Sequence, residues 1–308
     1  MKINLIFVDN GVGLTRDADI LTDVIHKFKP DAEVNRIDIY KQVNLKKADI
    51  NIFLEVIDHN GQFFQLAKVN YYMPNPEWYA FAWDKYLSQF DAILCKTHDT
   101  ERIFKAKGLK TVYTSFSSVD RMLTVINNKY RAFLHTAGQS ETKGSDKVVK
   151  AYDNIRDEAL GLIFTRSKGK PNYWINNNAQ GVFDRIPDAE LRTLQNACIF
   201  HLCPSMYEGF GHYIDEARSC GGIIITTGAW PMAELVPEEI GIHVPVESTS
   251  AMSLATLQHV SVDGLAEAMM KATNMNHKQI GIKSLAARAF YLKNKSIFEG
   301  NIKNVLGL

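Results

Sequence analysis

Glu208 and Glu216 stand eight residues apart in Cys203-Pro204-Ser205-Met206-Tyr207-Glu208-Gly209-Phe210-Gly211-His212-Tyr213-Ile214-Asp215-Glu216-Ala217. The segment follows an apolar run and leads into a helical pattern. Carboxylates accept hydrogen bonds from vicinal hydroxyls, which a sugar and a ribose both offer. Gly209 and Gly211 let the backbone come close to a ligand. A helix that starts near His212 turns its first amides toward that ligand, and such a helix end attracts anions. The spacing suits a ligand with hydroxyls at both ends and phosphate between them.

Leu134-His135-Thr136-Ala137-Gly138-Gln139-Ser140-Glu141-Thr142-Lys143-Gly144-Ser145 reads as strand, loop and helix start. Lys143 stands at the end of the loop.

Elements that position these residues come from short apolar runs alternating with helical patterns. Strands are expected over 2–8, 34–40, 50–57, 68–73, 92–97 and 111–116, with helices over 16–28, 79–90 and 101–107. The pattern then restarts, with strands over 133–136, 160–164, 173–176, 199–203, 223–227 and 242–246. Helices are expected over 146–155, 188–197, 211–220, 262–273 and 284–291. Strand–helix alternation of this kind implies α/β architecture with parallel sheets covered on both faces. Two doubly wound units are expected, with the break near Ser117–Tyr130. Their strand C-termini and helix N-termini would face a shared cleft suited to a diphosphate.

The Glu208–Glu216 segment resembles the E-x7-E motif of retaining glycosyltransferases of the GT-B fold, family 4 type. Ser219-Cys220-Gly221-Gly222-Ile223-Ile224-Ile225-Thr226-Thr227 and Pro231-Met232-Ala233-Glu234-Leu235 are similar to the same family, as is the stretch from Gly138 to Lys143 and Gly144. The resemblance implies two Rossmann-like domains facing a central cleft. An acceptor domain would span 1–125, a nucleotide-sugar donor domain 126–290, and a C-terminal helix over 291–308 would cross back to the first domain.

It further implies that Glu208 hydrogen-bonds the donor sugar, that Lys143 contacts the diphosphate and that Glu216 binds the ribose. Gly138, Gly209 and the amides of Phe210, Gly211 and His212 would approach phosphates and sugar, and Arg166, Arg185 and Ile186 the nucleotide. Gln139 stands where the family usually has an arginine, which would weaken diphosphate binding unless Arg166 substitutes. In the first domain Gly11, Gly13, Asn75 and Glu77 are the candidates for the acceptor side. Many family members bring a histidine from this region to the sugar; Tyr71–Tyr79 contains none, so Asn75 or Glu77 is the replacement. Lys96-Thr97-His98 and Ser117-Ser118 are strand-end residues within reach of the same cleft.

Composition narrows the alternatives. The chain has 308 residues, and 35 basic against 34 acidic residues leave a formal charge of +1. A broad basic face for nucleic acid is therefore not expected. No apolar run approaches the ~20 residues of a membrane helix. The first residues read as a strand rather than a signal peptide. Cys95, Cys198, Cys203 and Cys220 show no CxxC spacing, and a reduced, cytoplasmic protein (host cytoplasm if viral) is the simplest reading. Asp17-Ala18-Asp19 spells D-x-D but falls at a helix start, where acidic residues are ordinary. Arg102, Lys105, Lys107 and Lys110 read as a solvated helix face. The nine histidines show no metal-ligand spacing, so no metal and no cofactor is expected.

The expected activity is transfer of a sugar from a UDP- or GDP-sugar to an acceptor hydroxyl, with retention and without a metal. The acceptor is left open among a glycan, a small molecule, a protein and a hydroxylated DNA base of the kind viral glycosyltransferases modify. A non-catalytic nucleotide-sugar binder and a sugar-nucleotide epimerase are the competing readings.

Overall fold

The computed structural model describes residues 1–41, 45–124, 130–138, 140–155, 160–166, 179–182 and 186–308, with backbone alone at 166 and 179–182. The chain divides into two compact units. The first comprises Met1–Ser117, Ala251–Ala255 and Asn294–Leu308, and the second Ser118–Ser250 and Thr256–Lys293.

The first unit contains β1 (Lys2–Phe7), α1 (Gly13–Phe28), β2 (Glu33–Asp38), β3 (Ile50–Leu54), β4 (Val69–Met73), β5 (Ala92–Cys95), α2 (His98–Ala106) and β6 (Thr111–Tyr113). Its six strands run parallel in the order β2-β1-β3-β4-β5-β6. Near-continuous apolar strands such as β1 and β3 suit a parallel sheet covered on both faces. Leu14, Ala18, Leu21 and Ile25 recur on one face of α1 and are buried.

One polar row crosses this apolar sheet. Asn35 donates to Asn4 at 3.0 Å, Asn4 to Asn51 at 2.9 Å and Asn51 to Asn70 at 2.8 Å. The four residues are register partners on β2, β1, β3 and β4. A buried amide needs a partner, so a one-residue slip of any strand would strand at least two of them. The row fixes the alignment that the hydrophobic effect alone leaves loose.

The second unit contains β7 (Tyr130–Gly138), α3 (Ser145–Ile155), β8 (Leu162–Arg166), β9 (Ala179–Val182), α4 (Asp188–Ala197), β10 (Cys198–Cys203), α5 (His212–Ser219), β11 (Ile223–Thr227), α6 (Met232–Leu235) and β12 (Gly241–Val244). β13 (Val246–Met252) and β14 (Ala255–Val260) form a separate two-stranded sheet, followed by α7 (Val262–Thr273) and α8 (His277–Leu306). The six-stranded sheet is parallel, in the order β12-β11-β10-β7-β8-β9. Phe133, Leu162, Phe200, Leu202, Ile223 and Ile225 form its core with Val148 of α3 and Leu265 and Met269 of α7.

Several expected elements differ. The helix expected over 79–90 is a 3-10 helix, Phe81–Gln89, in which Trp83 and Tyr86, three residues apart, share the buried face. The tail, expected as helices over 284–291 and 291–308, is one continuous helix, α8, that starts earlier at His277; its residues up to Lys293 belong to the second unit and those from Asn294 to the first. Residues 246–260, left without an element, form β13 and β14. The strand expected over 173–176 lies outside the described residues. Among the described residues no helix is long and apolar enough to cross a membrane.

Candidate functional site

In an open parallel sheet, ligands bind beyond the strand C-termini where the strand order reverses. In the second unit that point lies between β7 and β10, because the chain runs from β7 outward to β8 and β9 and then returns to β10. The loops leaving those two strands carry Lys143 and Glu208. The Lys143 ammonium is ion-paired with the Glu208 carboxylate and lies 3.9 Å from the centroid of the Tyr213 ring. Glu208 also accepts a hydrogen bond from the Ser205 hydroxyl, which is bonded in turn to the Tyr213 phenol. Burial holds the Tyr213 and Cys203 pKa values well above their ordinary ranges, so both stay protonated and neutral.

The two loops are stitched together by backbone. Met206 N donates to the Thr142 carbonyl at 2.8 Å. Gly144, at φ 68°, lies so close to Pro204 that a Cβ would sit 2.6 Å from its carbonyl oxygen, so only glycine fits. His135 of β7 bonds the Leu202 carbonyl through Nδ1 at 2.7 Å and the Ser145 hydroxyl through Nε2 at 2.9 Å, tying β7 to β10 and to the first residue of α3. Burial pushes its pKa down to about 4, with the Lys143 charge acting in the same direction. The ring is neutral, with Nδ1–H donating to Leu202 and Nε2 accepting from Ser145.

Gly211, at φ 80°, turns the chain into α5, and no side chain caps that helix end. His212 bonds the Ser118 hydroxyl through Nδ1 at 2.8 Å, and Asp215 accepts the Ser118 amide at 2.6 Å while ion-pairing with Arg218. These bonds fix the direction in which α5 points its N-terminus, where the helix dipole is positive. Gly209 and Phe210 are buried in the turn that precedes it. Glu216 does not join the Lys143–Glu208 cluster. It is 4% exposed and accepts a 2.7 Å bond from Gln195.

Gly138 ends β7 at φ 61° and pairs in register with Arg166, the last residue of β8. Ile186 is half-buried just before α4. Gln139, Arg185 and the Arg166 side chain lie outside the described residues, so the exchange of Gln139 for arginine has no structural account.

In the first unit the order reverses between β1 and β3. Gly11 and Gly13 lie exposed in the loop after β1 and at the start of α1. Asn75 follows β4; its amide donates to Glu55 at 2.6 Å and its carbonyl accepts from Lys96 at 3.2 Å. Lys96 is 3% exposed and ion-paired with Asp17 at 2.6 Å. The first aspartate of D-x-D is thus half of a buried ion pair, and the second, Asp19, pairs with Arg36. Glu77 is half-buried in the turn Pro76–Trp78. Three of the four basic residues in and after α2 are in ion pairs, Arg102 with Asp99, Lys105 with Glu101 and Lys107 with Asp84.

Glu55, absent from the sequence-based candidates, stands after β3 at φ 64°, a conformation that side-chain-bearing residues seldom adopt. Its carboxyl pKa is raised, chiefly by burial, against the Asn75 hydrogen bond and the Lys96 charge. No local motif marks it. Gln195, inside the helix expected over 188–197, and Arg121, in the expected break between the units, were missed likewise, since no motif marks either.

Two α/β units, each built on a six-stranded parallel sheet and the second with its charged residues on the loops at its switch point, define the GT-B class of glycosyltransferase. Residues 120–274 match the family model described as glycosyl transferases group 1, and the chain belongs to that family of glycosyltransferases. The solved structures it resembles are distant in sequence. Anabaena HepE, determined with UDP and glucose, is 14% identical over the whole of both chains, with a TM-score of 0.71. A Rickettsia africae glycosyltransferase is 13% identical over 99% of this chain and 98% of its own, at 0.73. Sucrose-phosphate synthase from Thermosynechococcus elongatus is 12% identical over 99% and 97%, at 0.70. No curated protein sequence gives a significant match.

Proposed function

We propose that this glycosyltransferase moves a sugar from a nucleoside diphosphate sugar to an acceptor hydroxyl with retention of configuration, and that the donor binds at the C-terminal edge of the second sheet. The Lys143–Glu208 pair at the β7/β10 switch point carries this reading. A diphosphate competes with Glu208 for Lys143. Its arrival draws the ammonium to phosphate and leaves the carboxylate to accept hydrogen bonds from the sugar hydroxyls. In the transition state negative charge builds on the leaving diphosphate, and Lys143 with the N-terminus of α5 stabilises it as preorganised electrostatics, the role a metal fills in other transferases. The acceptor attacks on the face that the diphosphate leaves, and a phosphate oxygen takes its proton. Gly138, Gly209 and Gly211 give the backbone room beside the phosphates, and Glu216 takes the ribose.

We propose that the acceptor is met by the first unit at the loop after β1 and at Asn75 and Glu77. Near-neutral charge favours a glycan, small-molecule or protein acceptor over DNA. UDP-sugars are the donors to test first, since HepE was solved with UDP-glucose.

Incubation with UDP- and GDP-sugars and a panel of hydroxyl acceptors, read by nucleotide release and by the anomeric configuration of the product, tests the reading. Transfer with retention is expected. Donor binding without turnover would leave the protein a nucleotide-sugar binder. Conversion of the donor's sugar without an acceptor would make it an epimerase, and an inverted product would overturn retention.

A further inference from the structure

Glu216 lies one turn inside α5, and its Oε2 accepts a 2.7 Å bond from the side-chain amide of Gln195 in α4. A glutamine can turn either end toward a carboxylate, but here the choice is made for it. Its Oε1 accepts from Arg121 Nε at 2.9 Å, and a guanidinium only donates. The NH2 end therefore faces Glu216. Gln195 is 1% exposed, so no water competes for either end.

Arg121 is itself held on every side. Its guanidinium bonds both carboxylate oxygens of Asp188 at 2.8 Å and the Asp188 carbonyl at 3.0 Å. Its own carbonyl accepts from Arg192 at 2.9 Å and Asn196 at 2.8 Å. Its backbone amide donates to Ser219 Oγ at 3.0 Å, and that hydroxyl donates to the Glu216 carbonyl at 2.7 Å. Arg121, Gln195, Glu216 and Ser219 thus close a ring that grips Glu216 by side chain and by backbone. The ring also keeps the guanidinium one residue away from the carboxylate.

We infer that Gln195, braced by Arg121, is the positioning residue that sets the Glu216 carboxylate for the nucleotide ribose and thereby sets the preference for ribonucleotides over 2′-deoxyribonucleotides. This rests on the donor reading above. Calorimetric dissociation constants for UDP and GDP and their 2′-deoxy counterparts are to be measured in the full-length protein, with melting temperatures alongside. The wild type is expected to prefer the ribonucleotide by about tenfold or more, the scale of a hydrogen bond to a charged group. In Gln195→Met and in Glu216→Ala the preference collapses, and the double variant loses no more than Glu216→Ala alone, as coupled residues do.

Gln195→Glu supplies the readout that a packing role would not move. Above the carboxylate range the new carboxyl repels Glu216 and the preference is lost. At about pH 5 a proton shared between the two carboxyls restores a donor and the preference returns. A preference retained in both Gln195 variants but abolished by Glu216→Ala overturns this inference and leaves the donor reading standing. A wild type that binds neither nucleotide, or binds ribo and deoxy forms equally, overturns the ribose assignment and the inference together.

Discussion

Lys143 and Glu208, 65 residues apart in sequence, are ion-paired across the two loops that leave adjacent strands β7 and β10. Each is nearly buried, with side-chain exposures of 17% and 10%. Lys143→Met removes the partner of a nearly buried carboxylate, and a loss of about 1–3 kcal/mol is expected. Adding Glu208→Gln removes the orphaned charge and restores most of the stability. On the proposed mechanism turnover behaves differently, because Lys143 itself offsets the charge on the leaving group. It stays down by about 10²-fold or more in the single and the double variant, the scale of a lost charge-stabilising group. Chemical denaturation and donor turnover on the same samples check both halves; a double variant that is stable and active would remove the pair from the mechanism.

The asparagine row makes a prediction about the first unit alone. Asn51 is fully buried and bonds Asn4, Asn70 and the Phe63 carbonyl. Asn51→Leu is nearly equal in volume but leaves amide groups of both neighbours without that partner. A loss of about 1–3 kcal/mol is expected, against a much smaller effect for Asn35→Ala at the half-buried end of the row. Urea midpoints for the two variants decide it, and equal losses would mean that the row adds no alignment energy.

How much of this was legible depends on whether the signal is local. Strand–loop–helix units with glycine at their turns announce themselves over a dozen residues, so the two sheets and the Lys143 and Glu208 loops could be read. The asparagine row was also visible, as charged residue, aliphatic residue and asparagine repeated in Lys2-Ile3-Asn4, Glu33-Val34-Asn35, Asp49-Ile50-Asn51 and Lys68-Val69-Asn70. It passed as ordinary strand sequence because its meaning appears only when the strands align. Gln195 and Arg121 act on Glu216 from 21 and 95 residues away, and neither carries a periodicity. Glu55 was hidden for another reason: a left-handed backbone at a glutamate contradicts its local preference, and only the surrounding fold imposes it. The D-x-D motif erred the opposite way, a functional pattern whose first member is buried against Lys96.

His135 predicts acid sensitivity. Its folded-state pKa of about 4 lies below the ordinary histidine value, so the unfolded chain binds the extra proton first. Stability is then complete above the unfolded pKa of about 6.5 and declines as pH falls from there toward 4. His135→Gln has no ring to protonate, so its melting temperature should fall less than that of the wild type between about pH 7 and pH 4.5. Parallel melting curves over that range would show that another group carries the acid response.

Glu55 predicts a response of opposite sign. Burial raises its folded-state pKa above the ordinary carboxylate value, so here the folded chain holds the proton longer. Stability therefore falls as pH rises from the carboxylate range through the folded pKa, where the folded state must carry a desolvated charge. Glu55→Gln keeps a carbonyl that can accept from the Asn75 amide and removes that charge. It should melt higher than the wild type near neutral pH, with the gap closing as pH falls below about 4, where Glu55 becomes protonated in both states. The left-handed backbone is unchanged by this substitution, so strain does not enter the difference. Should the variant melt lower at neutral pH, the carboxylate's attraction to Lys96 outweighs its burial, and Glu55 belongs to the Asp17–Lys96 ion pair as a third, stabilising charge.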